Sequence, residues 1–177
     1  STYCQMGYLQ QMPNRKYALG YKLLEHAFII NQHLGYPRAV YDLLLETAER
    51  TDQIVYFGIP YGTDVLYLYV AHPIARMKEL PYREILGEKS PLCTTSIGKA
   101  MLANMPKEEV EKCISGKLEA YTENTITDKK SLLEEIEKTR IRGYGIDDME
   151  IMFGIKCVGV ALLNHDGKVE GGLSISA

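Results

Sequence analysis

The chain alternates between two spacings of apolar residues, one typical of helices and one typical of strands. Helical spacing runs from Leu19 to about His33 and from about Arg38 to Arg50, which predicts two helices separated at Gly35-Tyr36-Pro37. The spacing then becomes two in QIVYFGIP and DVLYLYVAH, which predicts a strand, a turn at Tyr61-Gly62-Thr63 and a second strand. The buried stripe predicted for the second helix consists of Val40, Leu43, Leu44 and Ala48.

Helical spacing returns in the second half of the chain. It predicts helices at Ser96 to Ala103, at about Lys107 to Ser115 and at Lys129 to Arg142. Two strands, IKCVGVALLN and KVEGGLSISA, then flank a turn at His165-Asp166-Gly167. Between Pro73 and Pro91 we predict a loop with a short strand near Met77 to Arg83. The buried face predicted for the third helix consists of Leu132, Leu133, Ile136 and Thr139.

Two short strands are also predicted before the first long helix, around Gly7 to Gln10 and Lys16 to Leu19. Arg15 and Lys16 lie at the tip of this hairpin, where they could contact phosphates; charged residues on a turn commonly serve only solubility. After this hairpin, the order of elements predicts an α+β fold in which helices pack on one antiparallel sheet.

Composition narrows the class of protein. A chain of 177 residues with 46% hydrophobic residues can form the core of one domain with a short appendage. The net charge of -3 gives no bulk attraction to nucleic acid, and no apolar run reaches the ~18 residues of a membrane span. With no export signal in the sequence, we expect a cytoplasmic protein without membrane contact. The four cysteines and four histidines lack metal-ligand spacing, so we expect reduced thiols and no metal or other cofactor.

The segment CTTSIGKA places small polar side chains and a thiol in front of a predicted helix. It is not a nucleotide-binding P-loop, because Cys93 and Ala100 stand where that motif needs a glycine and a Ser or Thr. Thr94 or Thr95 can cap the helix, and the amides of the first turn, Ser96 to Gly98, then favour a small anion such as a carboxylate. A purely structural cap is the alternative.

Two further polar clusters have similarly open interpretations. Asp147 and Asp148 are adjacent on a predicted strand, so only one of them can face a given pocket, and the cluster with Glu150 is otherwise a solvated acidic turn. Ser174 and Ser176 share one face of the last strand, either towards a ligand or, as on an edge strand, towards water. No partner base marks Cys93 or Cys157 as a nucleophile, and Cys157 reads as a small buried filler.

Four segments together resemble the isocitrate-lyase-regulator (IclR) family of bacterial transcription factors. MGYLQQMPNRKYALGYKLLE is similar to the wing and linker helix that end the family's winged helix-turn-helix domain. PLCTTSIGKAMLANMP, TENTITDKKSLLEEIEKTRIRGYGIDDMEIMFGIKCVGVAL and GKVEGGLSIS resemble successive parts of its effector-binding domain. The resemblance implies a remnant wing at residues 1-18, a linker helix at 19-35 and a GAF-like effector-binding domain at 36-177.

The resemblance also implies a site. Ser96 and Ile97 would offer backbone N–H groups to the carboxylate of a small metabolite, while Asp147, Cys157, Ser174 and Ser176 would supply polar contacts. Further lining is expected from Cys93, Thr95 and Tyr82, and Arg15 and Lys16 would contact DNA from the wing. The expected partners are a small carboxylate effector, a second copy of the chain, and operator DNA. We expect this chain to be a fragment of such a regulator, without the recognition helices before Ser1 and without the usual helix after Ala177.

One departure from the family pattern and two rival functions belong beside this resemblance. Cys93 and Thr94 stand where many family members have His or Ala, so we expect the polarity of the pocket to differ from theirs. The rival functions are a GAF-like redox enzyme that uses Cys93 or Cys157, and a purely structural oligomerisation module. An enzyme of that kind would need an accessible cysteine of low pKa.

Overall fold

The computed structural model describes residues 1–33, 38–76 and 85–177, without the side chains of Asn31, Arg38 and Ala39. The predicted helix break at Gly35-Tyr36-Pro37, the predicted strand near Met77 to Arg83 and the expected pocket residue Tyr82 lie outside these residues. The chain forms two compact units, Ser1–Val40 and Tyr41–Ala177.

The first unit is built around a hairpin. After a short helix α1 (Thr2–Gln5), which the sequence did not predict, β1 (Leu9–Gln11) pairs antiparallel with β2 (Tyr17–Leu19). Helix α2 (Lys22–His33) begins three residues later than predicted, because Leu19 pairs with Leu9 in the hairpin. The hydroxyl of Tyr8 lies 3.0 Å from Nε2 of His26, which ties the hairpin to the helix.

The second unit contains one antiparallel sheet with helices, so the predicted α+β fold is confirmed. Its strands lie in the order β5-β4-β3-β8-β7-β6, and a short 3-10 helix, Ile74–Arg76, follows β4. The strands are β3 (Ile54–Tyr61), β4 (Asp64–Ala71), β5 (Lys89–Pro91), β6 (Gly145–Asp148), β7 (Lys156–Leu163) and β8 (Val169–Ser176). The helices of this unit are α4 (Ser96–Leu102), α5 (Lys107–Ile114) and α6 (Lys129–Arg142), together with α3 (Arg38–Thr51) from Tyr41 onward.

Three details of these elements differ from the prediction. Strand β5 was not predicted, since three residues ending in proline carry no readable alternation; a short edge strand tolerates that proline. Leu43 of α3 and Leu133 of α6 were expected in the buried stripes but are largely exposed, at 49% and 45%. Each sits beside a fully buried leucine, Leu44 or Leu132, which shows that the buried stripes are narrower than the apolar ones.

Three glycines let α4 lie directly on the sheet. Directly paired residues of an antiparallel sheet share a face, and Gly145, Gly159 and Gly172 fall on the face that contacts α4. An added Cβ at Gly159 would stand 2.4 Å from the backbone nitrogen of Ile97, and one at Gly145 would stand 2.1 Å from the carbonyl oxygen of Ser96. The missing side chains therefore bring the start of α4 against the strands.

A β-bulge in β4 changes the direction of its tyrosines. Phe57 pairs with Tyr69, but the next residue of β3, Gly58, pairs with Tyr67, so Leu68 is an extra residue. Tyr69 consequently shares the face of Phe57, with ring centroids 6.0 Å apart, whereas Tyr67 shares the face of Tyr56, at 5.7 Å. Tyr67 thus lies on the α4 side of the sheet.

Candidate functional site

A cavity of about 140 Å³ lies between the start of α4 and the sheet. Seven residues that the sequence singled out line it, together with two tyrosines, two other polar residues and four apolar residues. The predicted ones are Thr95, Ser96, Ile97, Asp147, Cys157, Ser174 and Ser176; the others are Tyr56, Tyr67, Ile85, Glu88, Ser90, Ile151, Met152 and Ile155.

The start of α4 is capped by Thr95. Its side-chain oxygen accepts a hydrogen bond from the Gly98 amide at 3.0 Å, and its hydroxyl lies 3.2 Å from the Pro91 carbonyl oxygen. The amides of Ser96 and Ile97 belong to the first turn, where a helix provides no acceptor for them. The cap therefore uses the Gly98 amide and leaves the amides of Ser96 and Ile97 for the cavity.

Strands β7 and β8 supply a thiol and two hydroxyls. Cys157 pairs directly with Ser176, and its thiol lies 3.4 Å from the serine hydroxyl. Ser174 is 5% exposed, and β8 lies between β3 and β7, so the alternative of edge-strand serines facing water is wrong. Burial raises the pKa of Cys157 to about 11, and the nearby Ser176 offsets this only in part.

The predicted acidic cluster is divided between the interior and the surface. Asp147 is buried and accepts a hydrogen bond from the Glu150 amide at 2.7 Å, whereas Asp148 is exposed and pairs with Lys156. Burial raises the pKa of Asp147, and this amide and the charge of Lys99 oppose the rise. The alternative of a solvated acidic turn is therefore wrong for Asp147 and Glu150, although it describes Asp148.

A buried ion pair lies behind this cluster and was missed in the sequence. The ammonium of Lys99 contacts the carboxylate of Glu150, and both side chains are almost completely buried. Burial raises the pKa of Glu150, which Lys99 opposes. The available signal was the single charged residue in the helix SIGKAML.

Three other predicted residues lie apart from the cavity lining. Cys93, expected in the lining, belongs to the hydrophobic core, where its thiol lies 3.7 Å from the carbonyl oxygen of Cys113. Burial raises the pKa of Cys93 to about 12, the opposite of what a nucleophilic thiol needs. Arg15 and Lys16 are exposed on the hairpin of the first unit, and Arg15 adopts a positive φ of 63°.

The residues that the structure describes lack two further features. They contain no group of three His, Cys, Asp or Glu side chains arranged to hold a metal ion. Within the same residues, no helix has the length and apolar character needed to cross a membrane.

The chain is similar in sequence and in fold to known bacterial proteins. Residues 38–177 match the protein family described as "Bacterial transcriptional regulator IclR C-terminal". The HTH-type transcriptional regulator XynR of Escherichia coli (strain K12) is 30% identical over 172 residues, which cover 96% of this chain and 67% of XynR. KdgR of the same strain is 31% identical over 173 residues, which cover 97% of this chain and 65% of KdgR.

The solved structures agree with the sequence relatives. The crystal structure of the Thermotoga maritima IclR has a TM-score of 0.81 and 30% sequence identity, covering 99% of this chain and 70% of that protein. This chain spans about two thirds of the length of the curated relatives, which are transcriptional regulators rather than enzymes. Since the family match covers most of the chain and the fold agrees, this protein belongs to the IclR family of bacterial transcriptional regulators.

Proposed function

We propose that this chain senses a small organic acid or sugar acid and thereby changes the affinity of a transcriptional regulator for its operator. The observation that supports this most is the cavity, where first-turn amides, hydroxyls and a buried carboxyl converge on one space. Amides at a helix start favour an anion, and hydroxyls both donate and accept hydrogen bonds. A metabolite carboxylate suits this set of groups.

Each group has a distinct role in this proposal. The amides of Ser96 and Ile97 bind the carboxylate, and Ser174 and Ser176 bind polar atoms of the ligand from β8. Asp147, in its protonated form, and the Cys157 thiol donate hydrogen bonds to the ligand. Thr95 holds the start of α4 in place through its cap.

A thermal-shift screen of small carboxylates and sugar acids tests the binding. An acid present at a hundredfold over its Kd stabilises the folded protein by about 2.7 kcal/mol if it binds only the folded state. Ser176→Ala should weaken the best hit roughly tenfold, the loss of one hydrogen bond. Ser115→Ala, at an exposed helix end, serves as the control. If no acid stabilises the protein, the oligomerisation module is the better interpretation.

The regulator acts on operator DNA in the cytoplasm, and Arg15 and Lys16 contact its phosphates from the hairpin. Both side chains are exposed at the tip of the turn, where they can reach a nucleic-acid backbone. In the full-length regulator, Arg15→Ala and Lys16→Ala should each lower the salt dependence of operator binding by about one counterion. Lys107→Ala, an exposed cation of the second unit, should leave it unchanged.

Self-association is the third part of the proposal. Helix α2 exposes several large apolar side chains, among them Leu24 at 65% and Phe28 at 64%. A second copy of the chain would remove this surface from water. Phe28→Glu should shift the sedimentation coefficient towards that of the monomer, whereas Gln32→Glu on the same helix should not. A ligand alters DNA affinity only if it binds two arrangements of such an oligomer unequally.

A further inference from the structure

The cavity has a second polar wall, which the sequence did not point to. Tyr67 on β4 and Ser90 on β5 both line it, and Ser90 pairs with Val65, two residues from Tyr67 on the same face of the sheet. The Ser90 hydroxyl also acts on the Tyr67 phenol, whose pKa it lowers against the larger effect of burial. Strand β3 separates this wall from Ser174 and Ser176, because β4 and β8 lie on either side of β3 in the sheet.

The bulge at Leu68 is what directs Tyr67 to this wall. Without the extra residue, Tyr67 and Tyr69 would share a face, because side chains of a strand alternate with a period of two. Bulges next to binding sites characteristically redirect one side chain. Here the redirected side chain is a partly buried phenol, with Cys157 and Asp147 among its electrostatic neighbours.

Four apolar side chains also line the cavity. Ile85, Ile151, Met152 and Ile155 present an apolar surface suited to a carbon chain. The volume of about 140 Å³ is close to the ~150 Å³ of a cavity that holds benzene, a molecule of about six non-hydrogen atoms. Since the first turn of α4 and Tyr67 both line this cavity, a ligand that fills it contacts both.

We infer that Tyr67 and Ser90 determine ligand specificity by hydrogen bonding to a hydroxyl group at the end of the ligand farthest from its carboxylate. The ligand class is then a hydroxy acid of three or four carbons, with its carbon chain against the isoleucines. This inference rests on the proposed function, because it takes the carboxylate to bind at α4. Both hydroxyls can donate and accept hydrogen bonds, so each can bind the hydroxyl of such a ligand.

Calorimetric titration with 3-hydroxypropionate and propionate tests the inference, because these acids differ only in the terminal hydroxyl. The wild-type protein should bind 3-hydroxypropionate roughly tenfold more tightly, the value of one hydrogen bond. Tyr67→Phe should abolish this preference while leaving the affinity for propionate within about twofold. Ser90→Ala should reduce the preference and provides the second variant if Tyr67→Phe does not fold.

Tyr69→Phe is the matched control, since it makes the same change on the same strand but on the other face. It should retain the preference for 3-hydroxypropionate. Equal binding of the two acids by the wild type, or a preference that survives in both Tyr67→Phe and Ser90→Ala, overturns the inference. So does tighter binding of a six-carbon sugar acid, although the proposed function then stands. If no acid of either size binds, the proposed function itself is wrong.

Discussion

The ammonium of Lys99 and the carboxylate of Glu150 form an ion pair in the interior, with 1% and 5% of their side chains exposed. Lys99 belongs to α4, which starts at the cavity, and Glu150 belongs to the turn after β6. The amide of Glu150 in turn donates to Asp147. Two successive contacts therefore connect the helix to the carboxyl that lines the cavity.

Removing one member of this pair should destabilise the domain strongly. Lys99→Met leaves the Glu150 carboxylate buried without its cation, so the free energy of unfolding in urea should fall by about 3–5 kcal/mol. The double variant Lys99→Met/Glu150→Leu should recover most of this loss. Lys107→Met removes an exposed cation and should change the stability by less than ~0.5 kcal/mol. A stable Lys99→Met single variant would contradict this account.

The titration of Asp147 should make the free energy of unfolding depend on pH. Because burial raises its pKa above the ordinary value of 3.8, the native protein keeps a proton that the unfolded chain has already lost. The free energy of unfolding therefore falls as the pH rises from about 3.8 through the raised pKa. Glu150 contributes a slope of the same sign. Asp147→Asn should flatten the slope measured by urea unfolding, and Asp148→Asn, which changes an exposed carboxylate, should not.

Ligand binding should take up a proton. An acid that enters the cavity places its negative carboxylate near Asp147, which raises the pKa of Asp147 further. Calorimetry in two buffers of different ionisation enthalpy should therefore show proton uptake, and affinity should fall as the pH rises through the pKa of Asp147. Asp147→Asn should bind without proton uptake. Equal uptake by the wild type and this variant would assign the proton to another group.

The glycine contact under α4 should tolerate no side chain. Gly159→Ala places a Cβ 2.4 Å from the Ile97 nitrogen, so α4 must move away from β7. We expect a loss of about 3 kcal/mol in unfolding free energy together with weaker acid binding. Gly116→Ala, at a site with no atom within 4 Å of the new Cβ, should leave both unchanged. Wild-type acid binding by Gly159→Ala would show that the amide position is not critical.

Thiol chemistry separates the sensor from the redox enzyme. With pKa values raised to about 11 and about 12, Cys157 and Cys93 remain protonated at neutral pH. Iodoacetamide should therefore modify both only after unfolding in urea, as mass mapping can show. Cys157→Ser should retain acid binding with altered affinity. Rapid alkylation of either thiol in the folded protein would favour the enzyme.

The α+β fold and much of the cavity lining could be predicted from local patterns. Alternation placed Ser174 and Ser176 on one face and separated Asp147 from Asp148, and the small polar residues before α4 marked its cap. These features depend on neighbouring residues in the sequence. The strand pairing that puts Cys157 beside Ser176 is not local, and its place in the cavity came from the family resemblance.

Other parts of the site depend on contacts between distant segments. Lys99 is charged, so its burial cannot be predicted without knowing that Glu150 lies against it. Tyr67 was missed for a different reason, since a bulge shifts the alternation by one residue and leaves no mark in the sequence. The exposed Leu43 shows the reverse error, because an apolar residue on a helix need not face the interior.

The extra residue at Leu68 lets two nearby tyrosines of β4 serve different purposes. Tyr67 and Tyr69 are separated by one position in the chain, yet they lie on opposite faces of the sheet. Tyr67 faces the cavity, and Tyr69 packs beside Phe57 on the other face. Evolution can therefore replace Tyr67, and with it the preferred ligand, without disturbing the packing on the opposite face of the sheet.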